Sequence, residues 1–296
     1  MSAVNRFSSN SLHGSFKGRG RQYLTLLRCP LDGAALVGEG GVVRCTADAD
    51  HTYNIDGGVL RLFPPDQAAL VNQASRACEE RGVGQGWQTP DEAAFKSLPQ
   101  TALSGYPDDY WPQQAAATAL LWRFLEAIRL ASGGLPVGPM GEAAVLGAGM
   151  GWLAYGLDVA GYTTLAVDAC AGERYGLGVY SIARYMRVQA LPTDPPLAPE
   201  AFDWVIFQNG LGSEPQTVLE RGLHAVRPGG WLAVIDALAP DDAQYTEMHM
   251  LFEQTGLELV AAPQRRGWRA RLLQLRDLLA GQDSGAPPVL VAQKPG

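Results

Sequence analysis

A short apolar run that breaks into three alternate glycines and then into a helical pattern, AAVLGAGMGWLAYGL at 143–157, constrains this chain more than any other feature. Glycine carries no Cβ, so the backbone around Gly147, Ala148, Gly149 and Gly151 can take positive φ and approach a ligand closely. A strand, a glycine turn and a helix in that order put the turn at the C-terminal edge of a parallel sheet, where ligands bind. The next predicted strand, at 163–167, ends in Asp168, 21 residues after Gly147. A carboxylate at that spacing can accept both hydroxyl hydrogens of a ribose.

Strand and helix patterns then alternate. The periodicity predicts strands at 143–146, 163–167, 186–190, 204–207 and 231–235, and helices at 111–130, 152–160, 174–184, 214–226 and 242–255. Ser213, with Gln216 three residues on, reads as the capping box of the 214–226 helix. Two last strands, at 257–261 and 289–292, flank an arginine-rich helix at 268–279. Short apolar strands alternating with amphipathic helices require a sheet covered on both faces, an open doubly wound α/β domain over 111–296. Ahead of it, 1–22 reads as a disordered basic arm with no acid before Asp32, 23–64 as a small β-rich unit, and 65–110 as a polar connector or lid with little periodicity.

A nucleotide-like ligand leaves two readings of the glycine turn. A dinucleotide fingerprint needs a small residue where this chain has Trp152, whose side chain would obstruct a pyrophosphate; S-adenosyl-L-methionine (SAM) has no phosphate and tolerates it. The motifs GAGMGWLAYGL, AVDA and YGLGVYSIARY, then FDWVIFQNGL and the R-P-G-G turn of HAVRPGGWLAVID, resemble class I SAM-dependent methyltransferases, in particular type 11 members with an N-terminal Trm112-like or zinc-ribbon-like segment. The resemblance covers about residues 25–240 and implies a seven-stranded Rossmann-like methyltransferase sheet. It also implies a cofactor site of Gly147, Ala148, Gly149, Gly151, Trp152, Asp168, Ala169, Ala190, Leu191 and Gln208.

The chain departs from that family at three places. Val145 stands where an acid commonly holds the methionine moiety, Ala190 and Leu191 where an acid commonly meets the adenine amino group, and Gln208–Gly212 where the family has Asn-Ala-Ser-Leu-His. Each lost charge-assisted hydrogen bond is worth about 1.5–3 kcal/mol, so a degenerate, non-catalytic binding or scaffold subunit is the rival reading.

Cys29, Asp32, Cys45 and His51 occupy the four ligand positions of a zinc ribbon, with HTYNIDGGVLRL resembling its closing hairpin. Asp32 replaces a cysteine; zinc accepts carboxylate, although structural sites favour thiolate and imidazole. The alternative is a ribbon without metal, held by Leu26, Leu36, Val43, Leu60 and Leu62.

The formal charge of −7, from 23 Lys+Arg against 30 Asp+Glu, disfavours wrapping nucleic acid or lying on an anionic membrane. A small-molecule methyl acceptor is therefore expected before RNA, with a protein partner as a further option. RNA binding would have to use the basic arm and the cluster of Arg265, Arg266, Arg269, Arg271 and Arg276 around Trp268; layout alone resembles a ribosomal-RNA guanine methyltransferase family. Four scattered cysteines and no apolar signal segment point to a cytoplasmic protein. Asn209, Asp236, Tyr245 and His249 are candidates for the acceptor mouth, and Trp152 and Tyr155 read first as packing residues. Methyl transfer needs chiefly alignment, so no catalytic residue is assigned.

Overall fold

In the computed structural model the described residues are 19–39, 41–131, 140–179, 184–235, 250–255, 257–259 and 289–295. The chain opens with helix α1 (Arg19–Thr25) and strands β1 (Leu36–Glu39), β2 (Val42–Cys45), β3 (Thr52–Asp56) and β4 (Val59–Arg61). Helices α2 (Ala68–Gly84), α3 (Glu92–Ser97) and α4 (Tyr110–Ala131) follow. The rest is β5 (Glu142–Leu146), α5 (Trp152–Val159), β6 (Thr163–Asp168), β7 (Met186–Gln189), β8 (Phe202–Gln208), α6 (Pro215–Ala225), β9 (Val226–Ile235), β10 (Glu258–Leu259) and β11 (Val289–Gln293). Among the described residues no helix is long and apolar enough to cross a membrane.

The strands form one mixed sheet in the order β1-β2-β3-β4-β7-β6-β5-β8-β9-β11-β10. From β7 to β9 neighbours run parallel, and β11 enters antiparallel between β9 and β10. The sequence pointed to seven strands and a separate N-terminal unit; among the described residues the sheet has eleven, because β4 pairs in parallel with β7 at Leu60↔Val188 and Arg61↔Gln189. That pairing covers the backbone groups that β7 would otherwise expose as an edge. The join is also hydrophobic: Leu27, Val43, Leu60 and Leu62 share a core with Leu165, Val167 and Val188 on one face. On the other face α3, α4 and α5 pack through Phe95, Leu121, Phe124 and Leu153 against Val145, Ala166, Ile206 and Val291.

Other expectations need correction. Residues 19–22 of the arm belong to α1. The connector is largely helical; only Val71 and Gly82 of α2 are buried, too narrow a face to leave a period in the sequence. The helix expected at 174–184 is a series of turns over 173–179, and 180–183 lie outside the described residues. A Cβ on Gly176 would stand 2.4 Å from the Cys170 carbonyl oxygen, so tertiary contact governs this loop. No side chain caps α6: Glu214 is its N-cap, Pro215 opens its first turn, and Gln216 donates to Glu220 Oε1 at 2.9 Å. The R-P-G-G segment lies within β9, where pairing jumps from Phe202↔Val226 to Trp204↔Trp231. Of the 242–255 helix only its end is described, and the arginine-rich 268–279 segment lies outside the described residues.

Candidate functional site

The sheet changes direction of winding at β5, which has β6 on one side and β8 on the other. A crevice opens at such a point, and the glycine turn sits over it. Gly147, Gly149 and Gly151 have φ of 65, 54 and 82°. Added Cβ atoms would lie 2.6 Å from the Gln208 carbonyl oxygen at Gly147 and 2.3 Å from Tyr185 Oη at Gly151, but would meet nothing within 4 Å at Gly149. Among the described residues, Gly149 thus faces open space.

Asp168 is bound into this turn. Its Oδ2 accepts the Gly149 N–H at 2.8 Å and its Oδ1 the Cys170 N–H at 2.7 Å. Each carboxylate oxygen keeps a further lone pair for a ligand hydroxyl. Burial pushes the carboxyl up to about 6, against the lowering pull of the Cys170, Gly149 and Ala169 N–H groups.

On the β8 side, Asn209 has a left-handed φ of 65°. Its Nδ2 donates to the Gly147 carbonyl at 3.3 Å, while its Oδ1 receives Gln114 Nε2 at 3.2 Å and Tyr110 Oη at 3.3 Å. This network ties the first turns of α4 to the glycine turn. Such a conformation is tolerated by asparagine and is concentrated at functional sites. Tyr110 and Gln114 were missed in the sequence; Gln114 is fully buried only because α4 packs on the sheet.

The remaining predicted residues separate by face. Val145, Ala148 and Trp152 pack in the α4 core, with Trp152 edge-on to Trp111 at 6.5 Å between centroids. Tyr155 packs against Phe95. Ala190 is fully buried in the opposite core and meets Asp168 only through its N–H, which donates to the Asp168 carbonyl at 3.1 Å. Ala169 is buried and Leu191 half-buried. Gln208 is buried, and its Oε1 has no partner among the described residues. Asp236, Tyr245, His249 and the arginine cluster lie outside the described residues. A cleft of about 480 Å³ opens beside Ala171, Gly172 and Gln189.

A second cluster lies in the N-terminal unit. One ligand atom each from Cys29, Asp32, Cys45 and His51 falls within 4.8 Å of the others. Cys29 and Asp32 share a turn in which Gly33, at φ 73°, donates to the Cys29 carbonyl at 2.8 Å. Cys45 ends β2, and its N–H donates to the His51 carbonyl at 3.0 Å, pairing the second two ligands. The Ala34 N–H, with the Cys29 thiol next, holds the Asp32 carboxyl down at about 2, so the carboxylate is ready to ligate. Tyr53 Oη touches Cys29 Sγ at 3.0 Å from behind. A cation is what two thiols, a carboxylate and an imidazole facing one point would satisfy.

No protein-family model and no curated protein sequence matches the chain. Solved structures similar to it include Burkholderia thailandensis 1,6-didemethyltoxoflavin-N1-methyltransferase, at 19% identity over 89% of this chain and 100% of that one, with a TM-score of 0.42. A complex of the Haloferax volcanii Trm112 methyltransferase activator with a methyltransferase is similar at 14% identity over 64% and 97%, with a TM-score of 0.39. The aminoglycoside resistance methyltransferase NpmB1 is similar at 20% identity over 52% and 87%, with a TM-score of 0.36.

Proposed function

We infer that this chain is a SAM-dependent methyltransferase acting on a small molecule. The observation that carries the reading is the joining of Asp168 to Gly149 through a 2.8 Å hydrogen bond, at the point where the sheet's winding reverses. The antiparallel β11 between β9 and β10 is compatible with it. It suits the seven-stranded methyltransferase sheet that the sequence resembles.

When bound, SAM supplies a methyl group on a sulfonium, transferred by in-line displacement. The protein's task is alignment and exclusion of water. Asp168 holds the ribose and the open face of Gly149 admits the ligand against the backbone. Val145 brings no charge to the methionine end, so backbone groups of the turn and Gln208 must hold it. Asn209, with Tyr110 and Gln114, fixes the wall that an acceptor would meet. The net charge of −7 favours a small acceptor over a polyanion.

Cys29, Asp32, Cys45 and His51 would hold zinc as a structural ion, locking β1–β3 to the loop after α1. Isothermal titration of SAM and S-adenosylhomocysteine, with metal content measured on the same sample, tests both readings. Micromolar binding is the expected result; a folded sample that binds neither ligand defeats the enzymatic reading.

A further inference from the structure

Helix α2 presents one stripe of residues to the loop that follows Asp168. Ser75 Oγ accepts the Ala171 N–H at 3.2 Å, and Glu79 Oε1 accepts the Tyr175 N–H at 3.4 Å. One turn on, a Cβ at Gly82 would stand 2.4 Å from the Tyr175 ring. Residues spaced three or four apart share a helix face, and Cys78 lies among these on that face. Its thiol shares a hydrogen bond with the thiol of Cys170, two residues past Asp168. Both cysteines are free.

The two thiols differ in access. Cys170 is 4% exposed, and the hydrogen bond from Cys78, with burial next, pushes its thiol up. Cys78 is half-buried. The cleft of about 480 Å³ runs along the same seam, lined by Asn72, Ser75 and Arg76 of α2 and by Ala171 and Gly172 of the loop. A small oxidant in solvent therefore meets Cys78 first.

We propose that Cys78 and Cys170 are a redox pair, which hydrogen peroxide joins in a disulfide that pins α2 to the loop after Asp168 and weakens the cofactor site. The weakening rests on the SAM reading above; the disulfide does not. The Cys78 sulfur, its proton released, attacks one peroxide oxygen; the O–O bond breaks, and the departing hydroxide takes up a proton as water, leaving a sulfenic acid. The Cys170 sulfur then attacks the Cys78 sulfur. The S–S bond forms, the S–O bond breaks, and the hydroxide leaves as a second water with the Cys170 proton. The thiols lose two electrons and the peroxide gains them. Closing from hydrogen-bond contact to about 2 Å draws Cys170 toward α2. Because the Cys170 N–H donates to Asp168 Oδ1 at 2.7 Å, that movement acts on the carboxylate assigned to the ribose.

The test treats the reduced full chain with hydrogen peroxide and maps its cysteines by mass spectrometry. A peptide linking Cys78 to Cys170, released by dithiothreitol, is expected. Cys170→Ser is expected to stop at a Cys78 sulfenic acid that dimedone traps. Oxidised wild type is expected to bind S-adenosylhomocysteine about tenfold more weakly than reduced, as for loss of one hydrogen bond. Cys78→Ser is expected to bind equally with and without peroxide, which separates the effect from oxidation of Cys29 or Cys45. Wild type in which Cys78 reaches sulfinic acid unlinked, or links to another cysteine, overturns the proposal. So does a Cys78–Cys170 link that leaves the affinity unchanged. A reduced chain that binds no S-adenosylhomocysteine removes the SAM reading instead, and the linked peptide alone then decides the pair.

Discussion

Asp168 Oδ2 accepts the Gly149 N–H at 2.8 Å, which makes the acid ending β6 and the turn following β5 one hydrogen-bonded unit. Asp168→Ala removes the ribose acceptor and both backbone anchors together. Its affinity for S-adenosylhomocysteine is expected to fall roughly ten- to a hundredfold, as for loss of a charge-assisted hydrogen bond. Calorimetry on a sample shown by circular dichroism to be folded checks this; unchanged affinity would place the ribose elsewhere.

The same carboxyl dictates a pH dependence. Its folded value of about 6 lies above the ordinary 3.8 because burial disfavours the charge. A carboxyl raised in this way contributes stability fully below its unfolded value, and that contribution is lost as pH rises through about 6. Ribose binding needs the ionised form and so runs the other way, weakening by up to about tenfold per unit as pH falls below the folded value. Titrations between pH 5 and 8 are expected to show the slope in wild type and not in Asp168→Ala.

Two glycines of the turn separate strain from occlusion. Gly151→Ala places a methyl 2.3 Å from Tyr185 Oη at φ 82°, and is expected to destabilise the fold by about 2–4 kcal/mol in urea unfolding. Gly149→Ala meets no atom of the described residues within 4 Å, so it bears only the left-handed backbone penalty of about 1–2 kcal/mol. Its methyl enters the ligand's space, so cofactor binding should be lost while the fold stays.

Zinc analysis tests the N-terminal cluster. The purified chain is expected to carry about one zinc ion, and chelation to lower its melting temperature by roughly 5 °C. Asp32→Cys should retain the ion and His51→Ala should lose it. Metal retained by His51→Ala would show that the four groups do not act as one site.

The glycine turn, Asp168 and the four candidate zinc ligands were all legible in the chain, because local backbone geometry and ligand chemistry restrict residue type at those positions. The alternation of β5 to β9 with their helices was legible for a related reason, since burial on both faces leaves continuous apolar runs. Helix α2 was not: it buries only Val71 and Gly82, and its place is set by Ser75 on the loop after β6. The union of β4 with β7 was equally hidden, because the alternation over 58–63 shows a strand but not its partner, which lies more than a hundred positions away. Gln189 and Gln114 read as ordinary polar residues until the sheet and α4 enclosed them. Whether an amide is paired with a neighbour or left without one depends on which atoms surround it, and only the tertiary structure brings those atoms together.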